Sequence, residues 1–322
     1  MIKTFGEWYK QSALFVALPH ENTDWKAYLD EISLSYRKFI KAASKFQKVI
    51  TIAPNFTDFE RICSDLQNVE FVKIDTNDTW IRDFGAIDIK ENGEIVGLNF
   101  IFNAWGDKFQ SSKDNAVNKT LFKKIGGNLK DINLILEGGS IDFNGNGYML
   151  TTKTCLLNKN RNNLTQDELD QRLREIFGLK KIFWLNHGFI QGDDTDSHID
   201  TLARFIDKNI IAFSVCEDKN DPHYNELNKM KDEILSFGFD SVELPIPKPI
   251  FYENMRLPAT YANFVFINGA LIVPTYNDKN DEIVLNRLQK ALPNREIIGV
   301  DARVFIRQHG SLHCSCQNHF EI

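Results

Sequence analysis

The chain has 322 residues, of which 43% are hydrophobic, so it can bury a large core. Its formal net charge is −6 at pH 7, which argues against a surface for nucleic acid or anionic membranes, because such surfaces need an excess of Lys and Arg. A small cationic molecule is the ligand that this charge favours.

The N-terminal segment contains a short apolar stretch from Ala13 to Leu18, which we interpret as a core strand. Glu7 precedes it, and no signal-type cleavage site follows. No apolar run approaches the roughly 20 residues that span a bilayer. The five cysteines are scattered and odd in number, so we expect free thiols rather than a disulfide framework. These features predict a soluble, cytoplasmic protein.

Strand and helix patterns alternate along the chain. From Trp25 to Phe46, apolar residues recur at three- and four-residue steps, which predicts a helix with one buried face. A strand over 48–54, a short helix capped by Thr57 and a strand over 69–75 follow. Further strands are predicted over 132–139, 148–152, 180–186, 209–215, 240–246, 263–269, 270–276 and 295–301, and helices over 114–125, 165–177, 222–237 and 281–292. This alternation indicates an α/β fold without an internal linker.

Polar clusters interrupt the alternation at positions about 50 to 65 residues apart. They are centred on Asp83, Glu137, His198, Asn263 and Cys314. Each ends or follows a predicted strand. The spacing suggests several similar strand–helix modules around one centre.

The first cluster is DTNDTWIRDFG at 75–85. Acidic runs of this kind are usually solvated turns, in which Asp78 would cap the chain and Asp83 would pair with Arg82 or face water. The carboxylates are also candidates for a site that holds a cation.

The second cluster is LEGGSIDFNGNGYMLTT at 136–152. Glu137 ends an apolar strand and is either a site residue or a local ion-pair partner. The two glycines after it permit positive φ angles and close approach of the backbone to a ligand or another strand. The NGNG sequence predicts a hairpin.

The third cluster, QGDDTDSHID at 191–200, holds four aspartates and a histidine before the helix-like TLARFI. Its oxygens suit a hard metal ion, or a ligand cation with an imidazole nearby to move protons. A solvated acidic loop is the structural alternative. On an extended segment His198 and Asp200 would project to the same side.

The fourth cluster, RQHGSLHCSCQNH at 307–319, collects histidines and thiols. A zinc site is one interpretation, although paired CxxC spacing is absent. Catalysis by a thiolate needs a histidine brought close by the fold, and His198 meets that need. A frayed tail with incidental thiols is the structural alternative.

Together these motifs resemble the agmatine deiminase family, which is related to bacterial-type peptidylarginine deiminases within the guanidino-group-modifying superfamily. The matching segments, in family order, are ALPHENTDW, NDTWIRDFG, EGGSIDFNGNGYMLTTKTCLLNKNRN, GDDTDSHID, YANFVFINGALIVPTY and GSLHC. They cover almost the whole chain. Three features depart from the family pattern: Ser197 replaces a usual glycine, Ala86 replaces a common proline, and Cys316 with Asn318 alters the tail after the cysteine.

The resemblance implies a five-module pseudo-symmetric α/β propeller, pentein-like, around a central active site, with residues 1–322 forming a single catalytic domain. It also implies a role for each matching polar residue. Cys314 would be the nucleophile and His198 the general acid/base, Asp83 and Asp200 would hold a guanidinium with Glu137 beside them, and Trp80 and Asn263 would shape the pocket.

The implied reaction is hydrolysis of agmatine to N-carbamoylputrescine and ammonia through a covalent amidino-cysteine, a step toward putrescine. Two carboxylates can hold a planar guanidinium by paired charge-assisted hydrogen bonds, and this electrophilic cation needs no metal or cofactor. A homodimer is the family-level expectation, with no nucleic-acid or membrane partner.

Three alternative functions stay open. One is deimination of free arginine or of a peptide's C-terminal arginine. Another is a carboxylate-rich metallohydrolase that uses Asp193, Asp194, Asp196 and His198. The third is a noncatalytic polyamine-binding protein.

Overall fold

The computed structural model describes residues 2–322 as a mixed α/β protein. Within that range the α-helices are Leu29–Ala43, Phe56–Cys63, Ile81–Phe84, Asp114–Ile125, Lys153–Leu156, Gln166–Phe177, Tyr224–Ser236 and Lys279–Ala291, with a short kinked turn at Ala104–Asp107. The 3-10 turns are Asp24–Tyr28, Gly138–Ser140, Ile199–Thr201 and Phe305–Gln308. The α/β class predicted from the alternating patterns is confirmed.

Five sheets repeat one order of three strands. In each triplet an outer strand pairs antiparallel with the middle strand, which pairs parallel with the third. The triplets are Cys316–Phe320, Gln11–Ala17 and Val49–Ala53; Ile87–Glu91, Glu94–Ile101 and Asn128–Ile135; Ile141–Phe143, Tyr148–Thr152 and Lys181–Leu185; Ala203–Asp207, Ile210–Val215 and Asp240–Pro245; and Val265–Ile267, Ala270–Thr275 and Glu296–Asp301. Val69–Lys73 extends the first sheet, Ile2–Thr4 extends the second, and Phe251–Tyr252 pairs with Met255–Arg256 in a separate hairpin.

A helix connects the two parallel strands of every triplet, as parallel pairing requires a crossover. These crossover helices are Leu29–Ala43, Asp114–Ile125, Gln166–Phe177, Tyr224–Ser236 and Lys279–Ala291. In the first of them, Ile32, Tyr36 and Phe39 are fully buried at helical spacing. One apolar face therefore packs each helix against its sheet, the pattern of an amphipathic helix.

The polar clusters occupy equivalent places in the five triplets. Asp83, Glu137, Asp200, Asn263 and Cys314 each lie shortly before the first, antiparallel strand of a triplet. The repeat suggested by their spacing therefore has a structural counterpart, although the clusters precede a strand more consistently than they follow one. This equivalence brings residues far apart in the chain to one centre.

Several predicted elements need correction. The helix expected over 25–46 begins as the 3-10 turn Asp24–Tyr28, because Trp25 is buried and donates a hydrogen bond to Thr79 Oγ1 at 2.9 Å. The helix Phe56–Cys63 is capped by Asn55, whose side chain accepts from Asp58 N, and not by Thr57. The helix-like 201–206 overlaps the strand Ala203–Asp207, since a short apolar run buried on both faces has no periodicity to distinguish strand from helix.

Some strands were not predicted. Ile87–Glu91 and Glu94–Ile101 form a hairpin across an Asn92-Gly93 turn, a sequence signal that would have identified it. The NGNG hairpin was predicted correctly, because Ile141–Phe143 and Tyr148–Thr152 pair antiparallel across it.

The last strand, Cys316–Phe320, pairs with Gln11–Ala17 near the other end of the chain. The alternative of a frayed tail is therefore wrong. All five cysteines are buried free thiols, as expected from their number and spacing. Within residues 2–322 no helix combines the length and apolar character needed to cross a bilayer.

Candidate active site

Three predicted site residues converge on one glycine. A Cβ added to Gly139 would lie 2.7 Å from His198 Nδ1, 2.8 Å from Asp83 Oδ1 and 3.0 Å from Asp200 Oδ2. The φ angle of Gly139 is not positive, so close approach, rather than left-handed backbone, explains why glycine is needed here. The interpretation of the glycine pair as a place of close approach is confirmed.

The three side chains come from different connections between strands. Asp83 lies in the helix Ile81–Phe84, whereas His198 and Asp200 belong to the 3-10 turn Ile199–Thr201 and its N-cap. The chain turns at 198–200, so the condition of an extended segment is not met there. The turn nevertheless directs both side chains toward Gly139.

Asp83 is buried and hydrogen-bonded within the site. Its Oδ1 accepts from Gly139 N and its Oδ2 accepts from Trp105 Nε1, both at 2.9 Å. Burial, together with the negative charges of Asp200 and Glu137, raises the pKa of Asp83 well above its usual range. A cation would relieve this repulsion, so the site favours a positively charged ligand.

The interpretation of Asp83 as a solvated residue paired with Arg82 is wrong. Arg82 points to the last strand instead, where it donates to Asn318 Oδ1 at 2.7 Å and to Gln317 Oε1. Its backbone N–H also donates to Cys314 O at 3.2 Å. Arg82 thus joins the helix of Asp83 to the segment of the predicted nucleophile.

Cys314 is held by Asn263. The amide Nδ2 of Asn263 lies 3.2 Å from Cys314 Sγ, and its Oδ1 accepts from the backbone N–H of His313 at 2.9 Å. The thiol also lies 3.7 Å from Asp200 Oδ2. Burial and the charges of Asp200 and Asp83 raise the pKa of Cys314 well above that of an ordinary thiol, so it is protonated in the free protein.

His198 is completely buried, and in the described chain neither ring nitrogen has a hydrogen-bond partner. Its Nδ1 lies 3.7 Å from Asp83 Oδ1. Burial outweighs the nearby Asp200 and lowers the pKa of His198 to about 3. The imidazole is therefore neutral near pH 7 and free to accept a proton.

Glu137 pairs with Arg161, a residue that our sequence analysis did not single out. Arg161 Nε donates to Glu137 Oε1 at 2.8 Å, and both side chains are fully buried. Arg161 also donates to Trp105 O at 3.3 Å and to Thr195 O at 3.2 Å, and it pairs with Asp196. It therefore ties three segments of the site together. The only signal in the sequence was its place in the motif CLLNKNRN.

A cavity of about 240 Å³ opens onto Cys314 and Asp83. Its walls contain further carboxylates and aromatic rings, and no Lys or Arg is among the lining residues. They are Asp24, Asp78, Trp80, Asp83, Trp105, Phe109, Asp194, Thr195, Gln308, His309, Gly310 and Cys314. Of the predicted site residues, Trp80 lines this cavity together with Asp83 and Cys314. Asn263, Asp200, His198 and Glu137 are not among its lining residues.

Trp105 is a second residue that our sequence analysis did not identify. It lies in the turn Ala104–Asp107, where Ala104, Trp105 and Asp107 all have positive φ angles. Such backbone is unfavourable for residues with a Cβ and tends to persist at functional sites. Here it places the indole against Asp83, at the wall of the cavity.

One group of potential metal ligands occurs in residues 2–322: Glu137, Cys155 and His198 offer atoms within 4.8 Å of one another. The Arg161 guanidinium already neutralises Glu137 and would oppose a metal cation there. The aspartates of the predicted metal cluster are not part of this group. Asp193 instead accepts from Thr195 Oγ1 and Ser197 N, and Asp196 pairs with Arg161.

A known protein family matches nearly the whole length of this chain. The model of the Porphyromonas-type peptidyl-arginine deiminase family matches residues 3–319. This chain belongs to that family. The resemblance drawn from the ordered motifs is therefore confirmed.

Two members similar to this chain carry a more specific name. A solved structure of an agmatine deiminase from C. jejuni, a cysteine-to-serine variant with substrate bound, is 64% identical, covers 100% of this chain and 97% of its own, and has a TM-score of 0.98. The agmatine deiminase of Pseudomonas syringae pv. syringae is 29% identical over 349 residues, 97% of this chain and 94% of its own. An amidinotransferase from Microseira wollei, 14% identical with a TM-score of 0.53 over 98% of this chain and 96% of its own, shares the fold.

Two of the three family departures noted in the sequence can be related to the structure. Ser197 has a φ of 65°, a left-handed conformation that glycine adopts at less cost, which accounts for the usual glycine. Ala86 N donates to Asn118 Oδ1 at 3.0 Å, a bond that a proline would lack. Neither position removes a chemical group from the site.

Proposed function

We propose that this chain is an agmatine deiminase, converting agmatine and water to N-carbamoylputrescine and ammonia. The observation that carries the proposal is the cavity at Cys314, whose walls contain four aspartates and neither Lys nor Arg. Agmatine is a dication with a guanidinium at one end and an amine at the other. Free arginine also carries a carboxylate, which this acidic lining would repel. The names of the similar proteins support the same substrate.

The first chemical step joins the thiol to the guanidinium carbon. Asp83 and Asp200 hold the planar cation by charge-assisted hydrogen bonds and place its carbon before Cys314 Sγ. Neutral His198 takes the thiol proton, and the thiolate adds to the carbon to form a tetrahedral adduct. His198 then returns the proton to a terminal nitrogen, which leaves as ammonia and yields the amidino-cysteine.

Water completes the reaction. His198 accepts a proton as water adds to the amidino carbon. The second adduct then expels Cys314 as a thiolate and loses its hydroxyl proton to become a ureido group. The proton held by His198 returns to the sulfur, and the hydroxyl proton converts the released ammonia to ammonium. The same imidazole thus serves as base and acid in both halves, which a group that is neutral in the free protein can do.

Substrate binding itself favours the thiolate. The raised pKa of Cys314 results from burial and from the charges of Asp200 and Asp83. A guanidinium between those carboxylates cancels their charges, so the thiol loses its proton more easily when substrate is present.

The five strand triplets support a finer description of the fold. We propose that they are the five modules of an α/β propeller and that residues 1–322 form one catalytic domain around the site. The position of a site residue before the first strand of each triplet supports this arrangement. A homodimer and a cytoplasmic location stay predictions.

Ammonia release tests the proposed function. The purified protein is incubated with agmatine, and with arginine in parallel, and is compared with Cys314→Ser and with Cys316→Ser as a matched control. Cys316 is a buried thiol two residues away that lies 3.9 Å from Arg82 Nη2 and does not line the cavity. We expect turnover of agmatine, lost in Cys314→Ser and kept in Cys316→Ser.

The alternative functions give other results. Turnover of arginine in preference to agmatine would replace the substrate. Activity that survives Cys314→Ser and disappears with a chelator would favour a metallohydrolase. Saturable binding of agmatine without turnover would indicate a polyamine-binding protein.

A further inference from the structure

A row of buried charged side chains lies behind Asp200. His313 contacts Asp200 Oδ2 through Nδ1 at 2.7 Å and Glu7 Oε2 through Nε2 at 2.8 Å. Arg204 pairs with Glu7 and, at 2.6 Å, with Asp142 Oδ1. We call these residues the charge row: Asp200, His313, Glu7, Arg204 and Asp142. Their side chains are at most 10% exposed.

We propose that His313 and Glu7 are positioning residues that keep Asp200 ionised and direct its free oxygen toward the guanidinium of the substrate. The proposal rests on the proposed function, because it concerns how the same site holds an amidinium-like cation. His313 contacts Asp200 directly and Glu7 contacts the far nitrogen of His313, so each acts through Asp200 rather than by touching the substrate.

Both ring nitrogens of His313 lie within hydrogen-bond distance of carboxylate oxygens. A neutral imidazole has one N–H donor and one acceptor nitrogen, and an acceptor nitrogen facing a carboxylate oxygen would be repelled. In His313 both nitrogens face carboxylate oxygens. The imidazolium form satisfies both contacts, and Glu7 supplies the second negative charge that makes this form favourable in a buried place.

The row also determines which carboxylate of the site is ionised. Asp83 and Asp200 are both buried at Gly139, and two such carboxylates oppose each other's ionisation. Burial opposes ionisation of Asp200 as well, but the hydrogen bond and charge of His313, with His198 and Arg204, lower the pKa of Asp200 below its usual range. The pKa of Asp83 is raised.

The geometry of Asp200 fits its assigned task. Its Oδ2 faces His313 and, at 3.7 Å, the thiol of Cys314. Its Oδ1 is buried and has no hydrogen-bond partner in the described chain. A buried carboxylate oxygen without a donor is costly unless a ligand supplies one, and a guanidinium N–H is such a donor.

Several other charged or titratable groups lie around the charge row. His198, Cys314, Asp83 and Arg204 face Asp200. Arg82 faces His313 through a contact of its Nε with His313 O at 3.3 Å, and its charge also acts on Glu7. Burial opposes the ionisation of Glu7, but Arg204, His313 and Arg82 lower the pKa of Glu7 far below its usual range.

Alkylation of Cys314 tests the proposal without using agmatine. The probes are 2-chloroacetamidine, which carries an amidinium, and iodoacetamide, which is neutral. In both reactions the thiolate sulfur displaces a halide, and mass spectrometry of peptides assigns the product to Cys314. The ratio of the two rates cancels thiol ionisation and reports how well the carboxylates hold an amidinium at each pH.

The variants are His313→Gln, Glu7→Gln and the control His319→Gln. His319 forms a comparable, partly buried contact with Asp88 Oδ2 at 2.7 Å and contacts neither Asp200 nor the cavity. His313→Gln replaces the ring by an amide near the Glu7 side and loses the Nδ1 contact. Glu7→Gln keeps that contact but removes the charge that makes His313 an imidazolium.

In the natural protein we expect the rate ratio to fall at low pH, where the carboxylate pair Asp83 and Asp200 takes up protons. In His313→Gln this fall moves to higher pH by about 1 unit or more, because a stabilising cation is lost. Glu7→Gln should raise the pH of this fall by a smaller amount, and His319→Gln should leave that pH unchanged. If His313→Gln does not fold, the shift in Glu7→Gln carries the test.

The proposal would be overturned if Glu7→Gln or His313→Gln folds and its rate ratio falls at the same pH as in the natural protein. An equal shift of this pH in His319→Gln would also overturn it. Failure of the proposed function would give a different experimental result. In that case the natural protein turns over no agmatine, while the alkylation profiles still report whether the charge row holds Asp200.

Discussion

Chemistry at the site depends on single atoms of single residues. Gly139 has no side chain, and this absence leaves the space in which His198, Asp83 and Asp200 meet. Burial keeps the imidazole of His198 neutral, and its ring nitrogens are available because they have no partner in the described chain. Both features are unfavourable for stability, and both suit a site that must receive a cation and move protons.

Gly139→Ala tests the need for that space. The new Cβ would lie within 3.0 Å of three polar side chains, so they must shift, and a displacement of about 1 Å at a reacting centre costs on the order of 100-fold in rate. We expect at least that loss of kcat/KM for agmatine. Gly299→Ala, whose Cβ would lie 2.9 Å from Thr275 Cγ2 away from the site, is the control and should keep activity. Equal losses in both variants would show a general packing effect.

His198 should make stability depend on pH. Its pKa is about 3 in the folded protein and 6.5 as the reference for an unfolded chain, so between these values the unfolded chain binds the extra proton. The free energy of unfolding contributed by a neutral His198 therefore falls as pH drops below 6.5, by up to about 1.4 kcal/mol per pH unit.

Urea denaturation at pH 7, 6, 5 and 4 measures this effect in the natural protein and in His198→Gln. The variant should lose less stability on acidification. Asp78, whose pKa burial raises to about 7, acts in the opposite direction, so the difference between the two proteins is the quantity to compare. Parallel curves would mean that His198 binds its proton as readily in the folded protein as in the unfolded chain, so that its pKa is not lowered by folding.

Short elements of this protein owe their ends to particular side chains. The helix Phe56–Cys63 begins where Asn55 accepts a hydrogen bond from Asp58 N at 3.0 Å. The turn before His198 has two successive residues, Asp196 and Ser197, with positive φ angles. Hydrogen bonds to Asp193 hold that turn, since Asp193 accepts from Ser197 N at 2.8 Å. The free-energy cost of these positive φ angles is therefore offset by hydrogen bonds to a nearby side chain.

Asn55→Ala should lower the free energy of unfolding by about 1 kcal/mol, the usual loss when a helix N-cap is removed. Thr57→Ala, at the exposed position first predicted as the cap, should change it by less than about 0.5 kcal/mol. Chemical denaturation of the two variants gives both values. If Thr57→Ala lowers the free energy of unfolding more than Asn55→Ala does, the N-cap is Thr57 and not Asn55.

The whole molecule is closed by pairing between its two ends. Cys316 lies opposite Val16, and the strand Cys316–Phe320 completes the sheet that begins with Gln11–Ala17. The same strand supplies Gln317 and Asn318 to the buried Arg82, next to Asp83. The nucleophile at 314 is thus placed by a contact between the first and last parts of the chain.

Two truncations test this closure. A chain ending at Ser315 loses the strand and removes two hydrogen-bond acceptors from the Arg82 guanidinium, each typically worth about 1.5 to 3 kcal/mol. We expect it to be insoluble or unfolded by circular dichroism. A chain ending at Phe320 loses only Glu321 and Ile322 and should fold with nearly unchanged thermal stability. A folded Ser315 chain would show that the N-terminal sheet does not depend on this strand.

Local patterns in the sequence were sufficient to predict many helices and strands of this protein and several candidate site residues. Helical spacing identified the five crossover helices, short apolar runs identified most buried strands, and the ordered motifs identified Cys314, His198, Asp83, Asp200 and Glu137 as candidates. These signals work because periodicity and motif order depend on neighbours within a few residues or on family resemblance. The same signals could not show whether Asp83 was solvated or buried.

Only the tertiary structure decided how distant residues meet. Glu7 and His313 are separated by 306 positions, and Arg161 reaches Trp105, Thr195 and Glu137 from a segment that looks like an ordinary loop. No local pattern encodes such contacts, because they depend on which strands pair and on where each connection emerges. Burial then changes the chemistry of groups whose identity was plain in the sequence, raising the pKa of Cys314 and lowering that of His198.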